Sequence, residues 1–412
     1  MTSATRKGHI MNTIQHKKEV NRLAILFTLT YMISYITRIN YGAIISEMES
    51  AAGISKDLLS MALTGSFITY GAGQIISGLC GDRFSPKKLV AYGLCATVAM
   101  NILIPTCQSP YQMLAVWCVN GFAQSFMWPP IVRLMTSLLS EDDYKKTSVK
   151  VSWGSSFGTI AVYLVSPLII SLLSWKWVFL FSAICGIIMI AVWLKFAPEI
   201  GVDKKAAVKE NEGSAVKAMF SPLMICILLA IVLQGMLRDG VTTWMPSYIA
   251  ETYNLSNVIS ILTGVVLPIF SIICFQLTSR LYRKTFTNPL VCAGVIFGAG
   301  AISSLALSLF TGKSAALSVL FSAILTGCMH GVNLILICMI PPFFKKYGST
   351  ATVSGVLNSC TYIGSAISTY GIAVLSKNFG WSFTLVIWLV IAALGTALCF
   401  IAAKPWKKKH MP

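Results

Sequence analysis

Residues 175–196 read WKWVFLFSAICGIIMIAVWLKF. An apolar block of this length matches the roughly 30 Å hydrocarbon core of a bilayer at about 1.5 Å per helical residue. Similar blocks recur along the whole chain. In lipid, only helices and closed barrels satisfy their own backbone groups, and these blocks are too long and too continuously apolar for barrel strands. The reading is therefore an all-α integral membrane protein. Composition agrees: of 412 residues, 56% are hydrophobic and 11% charged, against about 25% charged in a soluble domain.

Working outward, twelve spans are expected, near 22–46, 58–80, 87–106, 110–138, 147–173 and 175–196, then 221–249, 256–279, 288–310, 314–343, 350–376 and 380–402. Between the two sets of six lies Pro198 to Lys217, the one long hydrophilic connection. The expected organisation is a tail 1–21, a six-helix bundle 22–196, a linker 197–220, a second bundle 221–403 and a tail 404–412. The apolar run after Met1–Val20 is too long for a signal peptide and is expected to remain as a helix.

Net charge is +18. A basic balance often points to nucleic acid, but here Lys and Arg sit in short loops. One set of loops holds Arg22, Arg83, Lys87, Lys88, Lys145, Lys146, Arg280, Arg283, Lys284 and Lys404; the opposite set holds only Lys56, Lys176, Lys313 and Lys377. This asymmetry is a topology signal that puts both termini and the linker in the cytoplasm, in a plasma (inner) membrane. Nucleic acid is not an expected partner, and a monomer in the lipid bilayer is. The twelve cysteines lie mostly in apolar segments without C-x-x-C spacing and read as small buried residues. There is no P-loop, no nucleophile with a matched base and no metal-ligand cluster, so neither an enzyme nor a cofactor or metal is expected.

Nearly every charge falls in a loop or at a helix end. The exceptions are Arg38, Arg238 and Asp239, with Arg133 intermediate near the end of the fourth span. A charge at mid-bilayer costs about 2.5–3.5 kcal/mol on the insertion scale and marks a functional site or a buried pair. Arg38 and Arg238 lie at matching depths in the first and seventh spans, and their paired forks suit a phosphate or carboxylate. Asp239 is expected not to face Arg238, since neighbours on a helix point about 100° apart; it pairs with Arg38 or with nothing. Tyr31 and Tyr35 share the face of Arg38. Tyr70, Gln74, Trp128, His330 and Tyr362 are further candidates for lining a polar, substrate-binding cavity. His330 reads equally as a core histidine, a proton carrier or an anion contact.

The halves look like repeats: Trp128-Pro129-Pro130 late in the fourth span is matched by Ile340-Pro341-Pro342 late in the tenth. The loop Gly78-Leu79-Cys80-Gly81-Asp82-Arg83-Phe84-Ser85-Pro86-Lys87-Lys88 resembles the cytoplasmic Gly-x-x-x-Asp-Arg signature of the major facilitator transporters. That resemblance implies twelve transmembrane helices in two pseudo-symmetric six-helix bundles, with the site between them near the midplane. It also implies gating roles for Asp82 and Arg83, with Arg133 beside them.

Three motifs are similar to the organophosphate:phosphate antiporter family: Tyr31-x-x-x-Tyr35-x-x-Arg38-x-Asn40, Gln124-x-x-x-Trp128-Pro129-Pro130-x-x-Arg133, and Leu237-Arg238-x-Gly240-x-x-x-Trp244-x-Pro246-x-Tyr248. The resemblance implies that Arg38 and Arg238 bind the phosphate of substrate and counter-substrate, with Tyr35, Tyr70 and Tyr362 lining the cavity. Three positions depart from the family: Gln74 stands for a lysine, Phe157 for a histidine, and Asp239 for a neutral residue. The expected function is transport of a small organic anion, a phosphate ester exchanged for inorganic phosphate by alternating access. Two alternatives stand beside it: proton-coupled symport of a sugar acid through Asp239 or His330, and a non-transporting receptor for a phosphorylated sugar.

Overall fold

A computed structural model of the chain describes residues 16–54, 56–200, 221–255, 263–347 and 350–410. The expected tail before residue 16, linker residues 201–220 and the stretch 256–262 of the eighth span lie outside the described residues. Among the described residues there is no strand. The first half holds α1 (Lys17–Ala43), α2 (Ile45–Ala52), α3 (Lys56–Arg83), α4 (Pro86–Leu103), α5 (Pro110–Gln124), α6 (Trp128–Leu138), α7 (Glu141–Leu172) and α8 (Trp175–Phe196). The second holds α9 (Pro222–Tyr253), α10 (Val266–Lys284), α11 (Pro289–Phe310), α12 (Ala315–Asn333) and α13 (Thr350–His410).

Helix starts are written in the sequence. Ser85-Pro86, Ser109-Pro110, Ser221-Pro222 and Asn288-Pro289 each put a capping residue before a proline at the first helical position, where the missing N–H costs nothing. Ser109 and Gln112 complete a reciprocal capping box.

These elements supply twelve crossings, with three departures from uninterrupted spans. The fourth crossing is broken between α5 and α6. Pro129 has no N–H for the carbonyl of Ser125, and the Gln74 side chain donates to that carbonyl instead, at 3.3 Å. The tenth crossing repeats the device. After α12 it continues as a π-turn, Leu334–Cys338, and a 3-10 turn, Pro341–Tyr347. Pro342 frees the Cys338 carbonyl, and the Tyr144 hydroxyl donates to it from the other half. The last two crossings run as the single element α13, bent at Gly380 with φ 77° and ψ 173°, a conformation that glycine adopts without a Cβ clash.

Packing repeats as well. On α7, a Cβ at Gly158 would lie 2.6 Å from the Met32 carbonyl oxygen of α1, and Gly154 sits equally close to Thr28. In the second half, Gly364 of α13 abuts the Val232 carbonyl of α9, and Gly235 of α9 abuts that of Thr361. Small residues let these backbones meet, which is how helices associate where lipid removes the hydrophobic drive.

By length and composition, eight helices among the described residues are apolar enough to cross a membrane. The crossings below that standard are α3, the broken α5–α6, α10 and the first limb of α13. Of these, α3 packs against α13, and α10 against α7, so each joins one half to the other. Their polar side chains, such as Ser66, Gln74, Ser271, Asn358 and Ser368, are buried against protein. By contrast, α8 exposes Trp177, Ile184, Ile188 and Leu194, as suits a lipid-facing surface.

An even number of crossings puts both termini on one face, the terminal face. Near it the halves are stitched together: Asp82 to Ala351 and Thr352, Thr136 to Thr350, and Tyr144 to Cys338. Towards the opposite face, the apolar cluster of Tyr41, Met48, Trp117 and Phe179 belongs to the first half alone.

Candidate functional site

Arg38 on α1 and Arg238 on α9 are both buried, at 9% and 8% exposure. The Arg38 guanidinium carbon lies 4.3 Å from the Tyr35 ring centroid and 4.7 Å from that of Tyr70. Its Nη1 donates to the Tyr362 hydroxyl at 3.3 Å. The Arg238 guanidinium carbon lies 5.8 Å from the same Tyr362 ring. One tyrosine of α13 thus touches both arginines, and the two halves meet at mid-depth.

The expected relation between Arg238 and Asp239 is corrected. Arg238 holds Asp239 in a two-pronged pair, Nε to Oδ1 at 2.6 Å and Nη2 to Oδ2 at 2.8 Å. The 100° argument constrains Cα–Cβ directions, not the end of a long side chain. The guanidinium curls round a third of a turn and meets the short carboxylate with two parallel N–H donors. Ser365 on α13 donates its hydroxyl to Asp239 Oδ2 and fixes the carboxylate from the other side. Arg38, by contrast, has no carboxylate partner among the described residues; its contacts are aromatic faces and one phenol.

The aromatic wall extends from there. Tyr70 and Tyr362 rings are 4.4 Å apart, Tyr31 and Tyr35 5.2 Å, and Tyr31 and Trp128 5.2 Å. The Tyr70 hydroxyl and the indole nitrogens of Trp128 and Trp153 are buried without a hydrogen-bond partner among the described residues. An unmet buried polar group costs about 1–3 kcal/mol, a cost that a polar ligand or water would remove. Tyr31, Tyr35, Arg38, Tyr70, Trp128, Arg238 and Tyr362 therefore form one continuous set.

Two candidates make no hydrogen bond to this set among the described residues. Gln74 donates its amide N–H to the Ser125 carbonyl, while its Oε1 is buried without a hydrogen-bond partner among the described residues. His330 turns into the second half: Nδ1 lies 2.9 Å from the Thr326 carbonyl and 3.1 Å from the Ser271 hydroxyl, and its ring meets Phe275 edge-on at 5.6 Å.

At the terminal face, Asp82 accepts from the backbone N–H of Ala351 at 3.0 Å and of Thr352 at 2.7 Å. A carboxylate thereby occupies the positive N-terminal end of α13. Arg133 donates to the carbonyls of Gly81 and Phe84 at the end of α3. Arg83 is exposed. Sequence reasoning missed Ser365 and the two amides that receive Asp82. Ser365 follows Tyr362 by three residues on one helix face, a signal available in the sequence but shared by many serines.

The sequence matches the Major Facilitator Superfamily over residues 27–369. The chain belongs to that superfamily. Within it, the membrane sensor protein UhpC of Salmonella typhimurium is 21% identical, over 94% of this chain and 93% of that one. The glycerol-3-phosphate transporter of Bacillus subtilis is 29% identical, over 54% of this chain and 55% of its own length. Among solved structures, the proton:xylose symporter XylE bound to 6-bromo-6-deoxy-D-glucose superposes with a TM-score of 0.73 at 14% identity, covering 96% of both chains. This major facilitator is thus an all-α, multi-pass membrane transporter by family and fold.

Proposed function

We propose that the protein carries a small organic anion by alternating access, a phosphate ester exchanged for inorganic phosphate, with Arg38 as principal ligand. The observation that carries this is Arg38 itself: a buried guanidinium at the junction of the halves, flanked by tyrosines and without a carboxylate partner among the described residues. A buried unpaired charge is expensive, so an anion that neutralises it favours the closed arrangement. Likeness to a glycerol-3-phosphate transporter supports a phosphate ester as the anion. Tyr35, Tyr70 and Tyr362 line the site, Arg238 completes it, and Asp82 latches the terminal face, with Arg133 bracing the end of α3 that carries it. The loop charges support placing that face in the cytoplasm of a bacterial inner membrane.

The test is counterflow in proteoliposomes loaded with phosphate, screened against phosphate esters and sugar acids. Uptake that requires internal anion supports the proposal. Binding without any flux would overturn it and leave the chain a sensor.

A further inference from the structure

Resting on that reading of the site, we infer that Asp239 is a resident counter-ion that sets the site to select singly charged anions. Two cations and one carboxylate converge at the junction of the halves, leaving one net positive charge. The groups around Asp239 and the two arginines support that count. On its own helix, Arg238 gives it two charge-assisted hydrogen bonds. From α13 come the neutral Ser365 hydroxyl and the Tyr362 phenol. From α1 and α3 come Arg38 and the phenols Tyr35 and Tyr70. From α12, His330 presents Nδ1 to the Thr326 carbonyl, an arrangement open to the neutral imidazole.

The geometry gives the count its consequence. Both prongs of Arg238 that face Asp239 are occupied, and Oδ2 is also held by Ser365. A singly charged anion neutralises Arg38 and leaves this pair intact. A doubly charged anion must either displace Asp239 from Arg238 or sit beside an uncompensated carboxylate in a site of low dielectric, where like charges repel strongly. The class selected is therefore a carboxylate or a phosphate carrying one charge. The singly charged form of a phosphate monoester is the minor one above its second pKa of about 6.

The experiment uses purified full-length protein in liposomes at pH 8, with two matched pairs of competitors. Gluconate and glucarate carry one and two charges. The methyl ester of glucose 6-phosphate and glucose 6-phosphate itself do likewise. Wild type is expected to prefer the singly charged member of a pair by about tenfold or more. Asp239→Asn is expected to erase or reverse that ratio, and Asp239→Glu to keep it. The wild-type ratio needs no variant, so a poorly folding mutant does not rescue the inference. Preference of wild type for the doubly charged members, or an unchanged ratio in Asp239→Asn, overturns it while the anion-carrier reading survives. Absence of exchange or binding by every member of both pairs sinks that reading, and this inference with it.

Discussion

Arg38 is the side chain whose loss the site can least absorb. Truncating one member of a buried charged contact typically costs about 3–5 kcal/mol, so Arg38→Ala should lower counterflow by roughly a hundredfold or more with insertion intact, read as labelled-substrate uptake per unit of protein. Lysine keeps the charge but loses the planar fork and its stacking on Tyr35 and Tyr70, and should restore only a fraction. Tyr362→Phe removes one hydrogen bond, worth about 0.5–1.5 kcal/mol, and should weaken anion affinity by about three- to tenfold. The two embedded arginines were legible in the sequence because a charge inside an apolar block is costly and has few explanations. The Asp239 pairing was not, because a helical wheel tracks where side chains leave the backbone and says nothing of where a long one ends.

At the scale of the element, proline placement explains more than composition does. Pro129 and Pro342 each remove a donor from a crossing, and a side chain from another helix fills each gap: Gln74 for the Ser125 carbonyl, Tyr144 for that of Cys338. Gln74→Leu should therefore act as a stability mutant. It orphans a buried carbonyl at about 1–3 kcal/mol, so melting temperature should fall while anion affinity changes less than about threefold; a specific loss of affinity at unchanged stability would contradict this account. Gly364→Val, which thrusts a branched side chain at the Val232 carbonyl, should reduce folded yield in detergent, judged by size-exclusion profile. The apolar blocks and Ser-Pro starts were readable from local chemistry. The interruptions at the double prolines were not placed, since continuity of hydropathy hides a break whose orphaned groups are satisfied from elsewhere.

For the whole molecule, the structure shows halves joined at the terminal face. The latch is polar and slender: two amides on one carboxylate, a hydroxyl pair and a tyrosine. Asp82→Ala should bias the protein towards opening on that side. Cys338, 2% exposed beneath the latch, should then react several-fold faster with a maleimide in a protein retaining only that thiol, and a saturating anion should slow it. The two-fold repeat was legible because duplicated sequence leaves matching motifs. The latch partners were not, since Ala351 and Thr352 contribute backbone, which has no letter in the sequence.

That latch also means α13 does not own its first turn. When the bundles part, Ala351 and Thr352 lose their acceptor, and water or an unwound residue must take its place. Transport would then fray and rewind one helix tip on every cycle, so amide hydrogen exchange at residues 350–353 should report which way the carrier faces, without any label on the substrate.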